Sequence, residues 1–382
     1  MKKIFLIATV ALAFLSSCST QKSNQESSLS QLDPAKFEAT IDGKAVKLYT
    51  LKNANGMEVA VTSFGARLVS IMVPAKDGKM TDVLLGFDNV QDYKNIPNDF
   101  GATIGRYANR IGDGKLTIDG QTYQLPQNNG PHCLHGGPMG WQNLPWDAQQ
   151  VDDKTLKLTI VSPDGDSNFP GKIDASVTYT LTDDNAIKID YAATTDKKTV
   201  INMTNHSYFN LNGNPAKDAM DHTLYIAGDK ITPIDVTFAT TGEYMEVAGT
   251  PFDFTTAKVI NKDIDADNEQ IKFGIGFDHN WVLNTNGDLN KLAAKLTGPE
   301  TGITLEVYTD EPGCQLYTGN FLDGTVKGKK GIVYNKRASV CLETQKYPDT
   351  PNKTHLEGWG SAILEPGDTY SSRCVYKFGV EK

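Results

Sequence analysis

Cysteine is scarce and scattered. Of five cysteines, Cys133, Cys314, Cys341 and Cys374 lie far apart and none forms a C-x-x-C pair, which excludes zinc ribbons and thioredoxin-type motifs. Buried free thiols are the expectation. Basic residues do not cluster, and the formal net charge is −9. Such a surface lacks the cationic stripes that a phosphate backbone demands, so nucleic acid is not an expected partner. No apolar run of membrane length occurs beyond the first 17 residues, and no fixed-period repeat points to a propeller or solenoid. Helical periodicity is also rare: the best short windows are Val90–Lys94 and Asn261–Asn268.

The ends are informative. Lys2 and Lys3 precede an apolar run, Ile4–Leu15, too short to span a bilayer as a mature helix. Leu15-Ser16-Ser17-Cys18 resembles the lipobox of bacterial lipoproteins, in which cleavage leaves the cysteine as a lipid-modified N-terminus. Cys18 is the expected lipidation site, and Ser19 in place of Asp favours the outer membrane, facing the periplasm. Ser19–Leu32 is polar and reads as a solvated tether. The expected organisation is therefore a signal peptide over 1–17, a tether over 18–35 and one large domain over 36–382. The lipid would be the only membrane attachment of a chain expected to be a monomer.

What is abundant is period-two alternation. Thr155–Val161, Ala175–Leu181 and Ala186–Tyr191 read as a meander, with turn residues Asp183-Asp184-Asn185 between the last two. Further strands are predicted at Glu58–Ser63, Leu68–Val73, Leu116–Ile118, Ile303–Tyr308, Ser339–Glu343 and Ser372–Phe378. The 34 glycines supply turns such as Asp77-Gly78 and Asp119-Gly120. The class is all-β, a sandwich or barrel.

Against only six histidines, His206 stands out between Asn205, Ser207 and Tyr208 at the end of a β-patterned run. Glu343, closing the apolar run 340–342, is either a surface glutamate that ends a strand or a buried carboxylate whose burial would raise its pKa. Gly105-Arg106-Tyr107-Ala108-Asn109-Arg110 can form a donor cluster or a structural arginine pair. His132 and His135 lie three apart on a loop rich in Gly and Pro, which suits hydroxyl recognition better than a zinc site lacking a third ligand, with a structural role as the alternative, more so for His132 than for His135. Asp278, beside aromatics in Phe277-Asp278-His279-Asn280-Trp281, fits a sugar pocket or an ordinary turn. Asp164-Gly165-Asp166 lacks the glycine and closing glutamate of an EF-hand, so a solvated turn is expected there.

Taken in order, GRYANRI, LHGG, TNHSYFNL, FDHNWVL, PGCQLYTGN and LETQKYPDTPN are similar to the motifs of the aldose 1-epimerase (galactose mutarotase) family. The resemblance implies a large antiparallel β-supersandwich and the interconversion of α and β anomers of free aldoses such as galactose or glucose. It makes His206 the proton donor and Glu343 the proton acceptor. It assigns substrate contacts to Asn109, Arg110, His135, Ser207, Tyr208, Asp278 and Gln315, and none to Arg106, His132 or His279. No cofactor or metal is required by that chemistry, although a structural calcium ion is compatible with the sequence. Two alternatives are a hexose-6-phosphate epimerase, which needs an additional basic cluster, and a non-catalytic sugar-binding lipoprotein.

Overall fold

The computed structural model describes residues 28–381. The signal-like run, Cys18 and the first part of the expected tether lie outside the described residues. Among the described residues no helix is long and apolar enough to cross a membrane.

Antiparallel strands dominate. A nine-stranded sheet runs in the order Asp147–Asp152, Thr155–Ser162, Ile173–Leu181, Ala186–Thr195, Tyr370–Val380, Ile303–Thr309, Ala294–Thr297, Thr223–Ile226, Lys258–Val259. The predicted meander forms its first half, extended by one edge strand, Asp147–Asp152, and the C-terminal strand then inserts beside Ala186–Thr195. Along Thr155–Ser162 and Ile173–Leu181, burial alternates residue by residue, as one solvated face requires. Leu156, Leu158, Val177, Tyr179, Ile189 and Tyr376 of its inner face share one core with two shorter sheets.

Those two sheets read differently. Glu58–Thr62 of a four-stranded sheet, and Gly313–Tyr317 and Cys341–Gln345 of a five-stranded sheet, are buried at every position. The five-stranded sheet also holds Met245–Glu246, Lys230–Thr232 and Asp278–Val282. Trp281, Cys314, Leu316 and Leu342 turn into the common core. The residues between them, Asp278, Asn280, Gln315 and Glu343, therefore turn to the opposite side, still within the protein. Each fully buried Leu or Ile stabilises the sandwich by roughly 1.5–3 kcal/mol. This apolar side holds the polar side rigid.

Two expectations are corrected. The helix predicted over 261–268 forms instead at Glu269–Gly274, because the Asn268 side chain accepts from the N–H groups of Gln270 and Ile271 and so caps the turn on its C-terminal side. The predicted helix at 90–94 is present as Val90–Asn95. The tether boundary also moves. Leu32 is buried, and the N–H groups of Leu29 and Ser30 donate to the buried Glu58 carboxylate (3.1 and 3.2 Å), as does the Ser28 hydroxyl. Pairing a buried carboxylate outweighs the polar composition that suggested solvated chain.

Candidate active site

Four segments converge. Thr204–His206 pairs with Ala102–Ile104, and Gly101 N–H donates to the His206 carbonyl (2.9 Å). Thr204 Oγ1 also donates to the Thr344 carbonyl (2.8 Å), and Phe209 and Val340 exchange two backbone hydrogen bonds of 2.8 Å each. This clamps the His206 segment alongside Cys341–Gln345. Elsewhere, Arg110–Ile111 pairs with Cys133–Leu134, which delivers His135 beside Asn109.

The result is a cavity of about 470 Å³ lined in part by Asn109, Arg110, His135, His206, Tyr208, Asp278 and Glu343. At its floor His206 Nε2 stands 3.5 Å from Glu343 Oε1. Both groups are almost wholly buried, and His206 Nδ1 and Glu343 Oε2 have no hydrogen-bond partner among the described residues. Burial drives both towards their neutral forms. It pushes the Glu343 carboxyl well above its ordinary range, with the Asp278 and Asp99 charges adding to this and Arg110 opposing it. It also holds the His206 imidazole below its usual value, against the opposing pull of Asp99. The His206 ring stacks on Tyr208, with centroids 4.9 Å apart and planes 18° apart, which fixes its orientation.

His135 is set by its neighbour. Asn109 N–H donates to His135 Nδ1 (3.1 Å), and His135 N–H donates to the Asn109 carbonyl (3.2 Å). Asn109 and His135 both adopt left-handed backbone, φ +65° and +53°, an unfavourable conformation for His that the reciprocal bonds hold in place. Burial lowers the His135 pKa to about 3, so the ring is neutral. With Nδ1 accepting, its proton sits on Nε2, which becomes a hydrogen-bond donor. Asp99, His135 and His206 bring one ligand-type atom each within 4.8 Å of one another. A protonated Nε2 on His135 has no lone pair for a metal, so this trio suits hydroxyl recognition better than a divalent ion.

Asp278 and Arg110 form the second wall. Gln315 Nε2 donates to Asp278 Oδ1 (2.7 Å), whereas Arg110 Nη2 lies 4.0 Å from Asp278 Oδ2, too far for a hydrogen bond. Arg110 Nε donates to Asn129 Oδ1 (3.0 Å). Burial raises the Asp278 pKa, with Arg110 and Gln315 opposing it.

Two expected contacts fall outside the lining. Ser207 lies between His206 and Tyr208 on extended backbone, so its side chain turns the other way and its hydroxyl donates to Asn205 Oδ1 (2.6 Å). Gln315 meets the cavity only through Asp278. Arg106 is a structural residue: its guanidinium donates to the carbonyls of Pro170 and Gly171 (2.9 Å each) and to Ser162 Oγ (2.6 Å). The Asp164 segment is part of that anchorage, with Gly171 N–H donating to Asp164 Oδ1. His132 bonds Asp113 N–H and Thr237 Oγ1, and His279 packs against Phe252 on the core side.

The sequence reading missed Asp99, Asn129 and Tyr317, which also line the cavity. Tyr317 was legible as the residue two beyond Gln315 on the same strand. Asp99 was not: it sits in a loop held by buried Arg67, which donates to Asn98 Oδ1 (2.9 Å) and the Phe100 carbonyl (3.0 Å).

The chain is similar to known proteins over most of its length. The aldose 1-epimerase family profile matches residues 47–377. The chain is 40% identical over 342 residues to the aldose 1-epimerase of Escherichia coli K12, covering 89% of this chain and 97% of that one. It is 39% identical over 338 residues to the rat galactose mutarotase, covering 88% and 95%. Among solved structures, an aldose epimerase homologue from C. elegans aligns with a TM-score of 0.82 at 32% identity, covering 88% of this chain and all of that one. Galactose 1-epimerase from Lactobacillus acidophilus NCFM aligns with a TM-score of 0.78 at 31% identity, covering 90% and 97%. The chain belongs to the aldose 1-epimerase family.

Proposed function

We propose that His206 and Glu343 are the acid and base of an isomerase that interconverts the α and β anomers of free aldoses. The family relationship supports the activity; the observation that carries the assignment of roles is the 3.5 Å approach of His206 Nε2 to Glu343 Oε1 at the floor of a polar cavity. The C1 hydroxyl and the ring oxygen of an aldopyranose are bonded to one carbon. Two groups this close therefore reach both oxygens at once. Ionised Glu343 removes the C1 hydroxyl proton while protonated His206 gives its proton to the ring oxygen, and the C1–ring oxygen bond breaks to an open-chain aldehyde. Rotation about C1–C2 exposes the other carbonyl face. Closure then returns each proton to its origin.

The charge states close the cycle. Ring opening converts an ion pair, carboxylate and imidazolium, into a neutral pair, carboxylic acid and imidazole, with the same total number of protons. Burial favours the neutral pair, and Arg110 opposes it by favouring the carboxylate. Asn109, Arg110, His135, Tyr208 and Asp278 hold the sugar hydroxyls, with Gln315 orienting Asp278. These steps move protons only and call for no cofactor. Arg110 is the single Arg or Lys in the lining, which disfavours a phosphorylated hexose.

Polarimetry of freshly dissolved α-D-galactose tests the roles; wild-type rates in both His206→Gln and Glu343→Gln would reject them. We further infer anchorage to the periplasmic face of the outer membrane through Cys18, on the sequence Leu15–Ser19 alone. Incorporation of radiolabelled palmitate that is lost in Cys18→Ser is the expected result, and retained label would overturn it.

A further inference from the structure

Arg110 is buried with its Nη2 4.0 Å from the Asp278 carboxylate, beyond hydrogen-bond reach, and its guanidinium lies over the Phe238 ring, 5.1 Å from the ring centroid. Phe238 comes from a loop distant in sequence whose shape is over-determined. Its N–H donates to the Asp235 carbonyl (3.0 Å), and Asp235 N–H donates to the Ala239 carbonyl (2.9 Å). Asp235 Oδ1 accepts from Thr237 N–H (2.7 Å) and Ala239 N–H (3.3 Å). Thr237 Oγ1 then bonds His132 Nε2 at 2.8 Å, tying this loop to the one that carries His135. Phe238 itself has φ +67°, a conformation unfavourable for a bulky side chain. On the solvent side its ring meets Phe321, 5.6 Å away, at the mouth of the cavity.

We propose that Phe238 is a positioning residue: its ring face holds the Arg110 guanidinium in the orientation that meets the sugar hydroxyls. The inference rests on the reading of Arg110 as a sugar-binding group. Among the described residues the Arg110 guanidinium has one side-chain hydrogen bond, Nε to Asn129, so the tilt of its plane about that bond is limited mainly by the Phe238 ring and the Asp278 charge. A guanidinium over an aromatic face is attracted to it, and the half-buried Phe238 holds an unfavourable left-handed backbone while making this contact. Phe238 is not among the residues lining the cavity that holds His206 and Glu343, so its loss should weaken substrate binding without slowing proton transfer.

The experiment measures kcat and KM for galactose mutarotation, with the thermal midpoint, in Phe238→Leu, Phe238→Tyr, Arg110→Ala and the Phe238→Leu/Arg110→Ala double variant. Phe238→Leu should raise KM roughly 5- to 20-fold with kcat within about twofold, and Phe238→Tyr should restore KM. The double variant should be no worse than Arg110→Ala. Fluorination of the Phe238 ring, which keeps its shape but makes its face electron-poor, should raise KM as leucine does. Unchanged KM in Phe238→Leu, an equal loss in Phe238→Tyr, an additive loss in the double variant or an unaffected fluorinated protein would each overturn the inference. Unchanged KM in Arg110→Ala would instead overturn the reading of Arg110 on which it rests.

Discussion

Replacing Glu343 by glutamine tests the proposed pair most directly. The side chain keeps its shape and an acceptor oxygen, so the cavity and the 3.5 Å approach to His206 are preserved while the ability to take a proton is removed. A positioned general base contributes on the order of 10²–10⁴-fold, or about 2.7–5.5 kcal/mol of barrier. The expected result is a fall in kcat of that size with KM within about threefold of wild type. The assay is polarimetric decay of fresh α-D-galactose, corrected for the spontaneous rate. A fall of less than about tenfold would refute the assignment. Because His206 and Glu343 act on oxygens of one carbon, His206→Gln/Glu343→Gln should be about as slow as the slower single variant. A multiplicative loss would show that the two do not share a step.

The same substitution has a stability consequence of definite sign. The folded-state pKa of Glu343 is raised, so the wild type gains from holding a proton below about pH 4.5 and loses that gain as pH rises towards the folded value. Glutamine never ionises. Chemical denaturation should therefore find Glu343→Gln increasingly stable relative to wild type above pH 4.5, by about 1.4 kcal/mol per pH unit until the folded carboxyl itself ionises. A pH-independent difference would mean that Glu343 is not a buried acid.

Other consequences are more local. Burial lowers the pKa of His135 and His279 to about 3 each, so the unfolded chain takes up protons below pH 6.5 that the folded chain refuses. Between pH 6.5 and 4.5 these two should cost roughly 5 kcal/mol, partly offset by Glu343, and a urea midpoint that does not fall over this range would contradict the burial argument. At Gly101, with φ +65°, an added Cβ would lie 1.9 Å from the Leu68 carbonyl oxygen. Since the Gly101 N–H holds the His206 carbonyl, Gly101→Ala should lower both thermal stability and kcat, and a wild-type rate would show that the His206 backbone tolerates displacement. Ser207→Ala should leave kcat/KM within about twofold, because the Ser207 hydroxyl is spent on Asn205; a tenfold loss would place it at the substrate.

The parts of this molecule that were legible in the sequence are those written in a local period. The meander over 155–191 announces itself because one face of the large sheet is solvated and every second residue is polar. Gly313–Tyr317 does not, because both of its faces are buried and the alternation over Cys314-Gln315-Leu316 is only three residues long. The end of Cys341–Gln345 was missed for the same reason, since Thr344 and Gln345 are polar yet buried. The helical window over 261–268 ends on a cap and so lies one turn early: the amide of Asn268 caps the turn after it.

The site divides along the same line. His206 and Glu343 were visible as residue types in recognisable segments, but their partnership depends on Thr204–His206 lying against Cys341–Gln345, a contact between strands 140 residues apart in the chain. Ser207 shows the limit of motif reasoning, since membership of a segment does not say which way a side chain points. His135 shows it more sharply. Its residue type admits a metal ligand, an acid or a hydroxyl donor, and the choice is made by the backbone N–H of Asn109, whose hydrogen bond fixes the ring's tautomer. That bond exists only because Asn109 and His135 both adopt left-handed backbone as two paired strands end. The donor that the cavity presents to a sugar is thus a property of main-chain geometry as much as of the histidine.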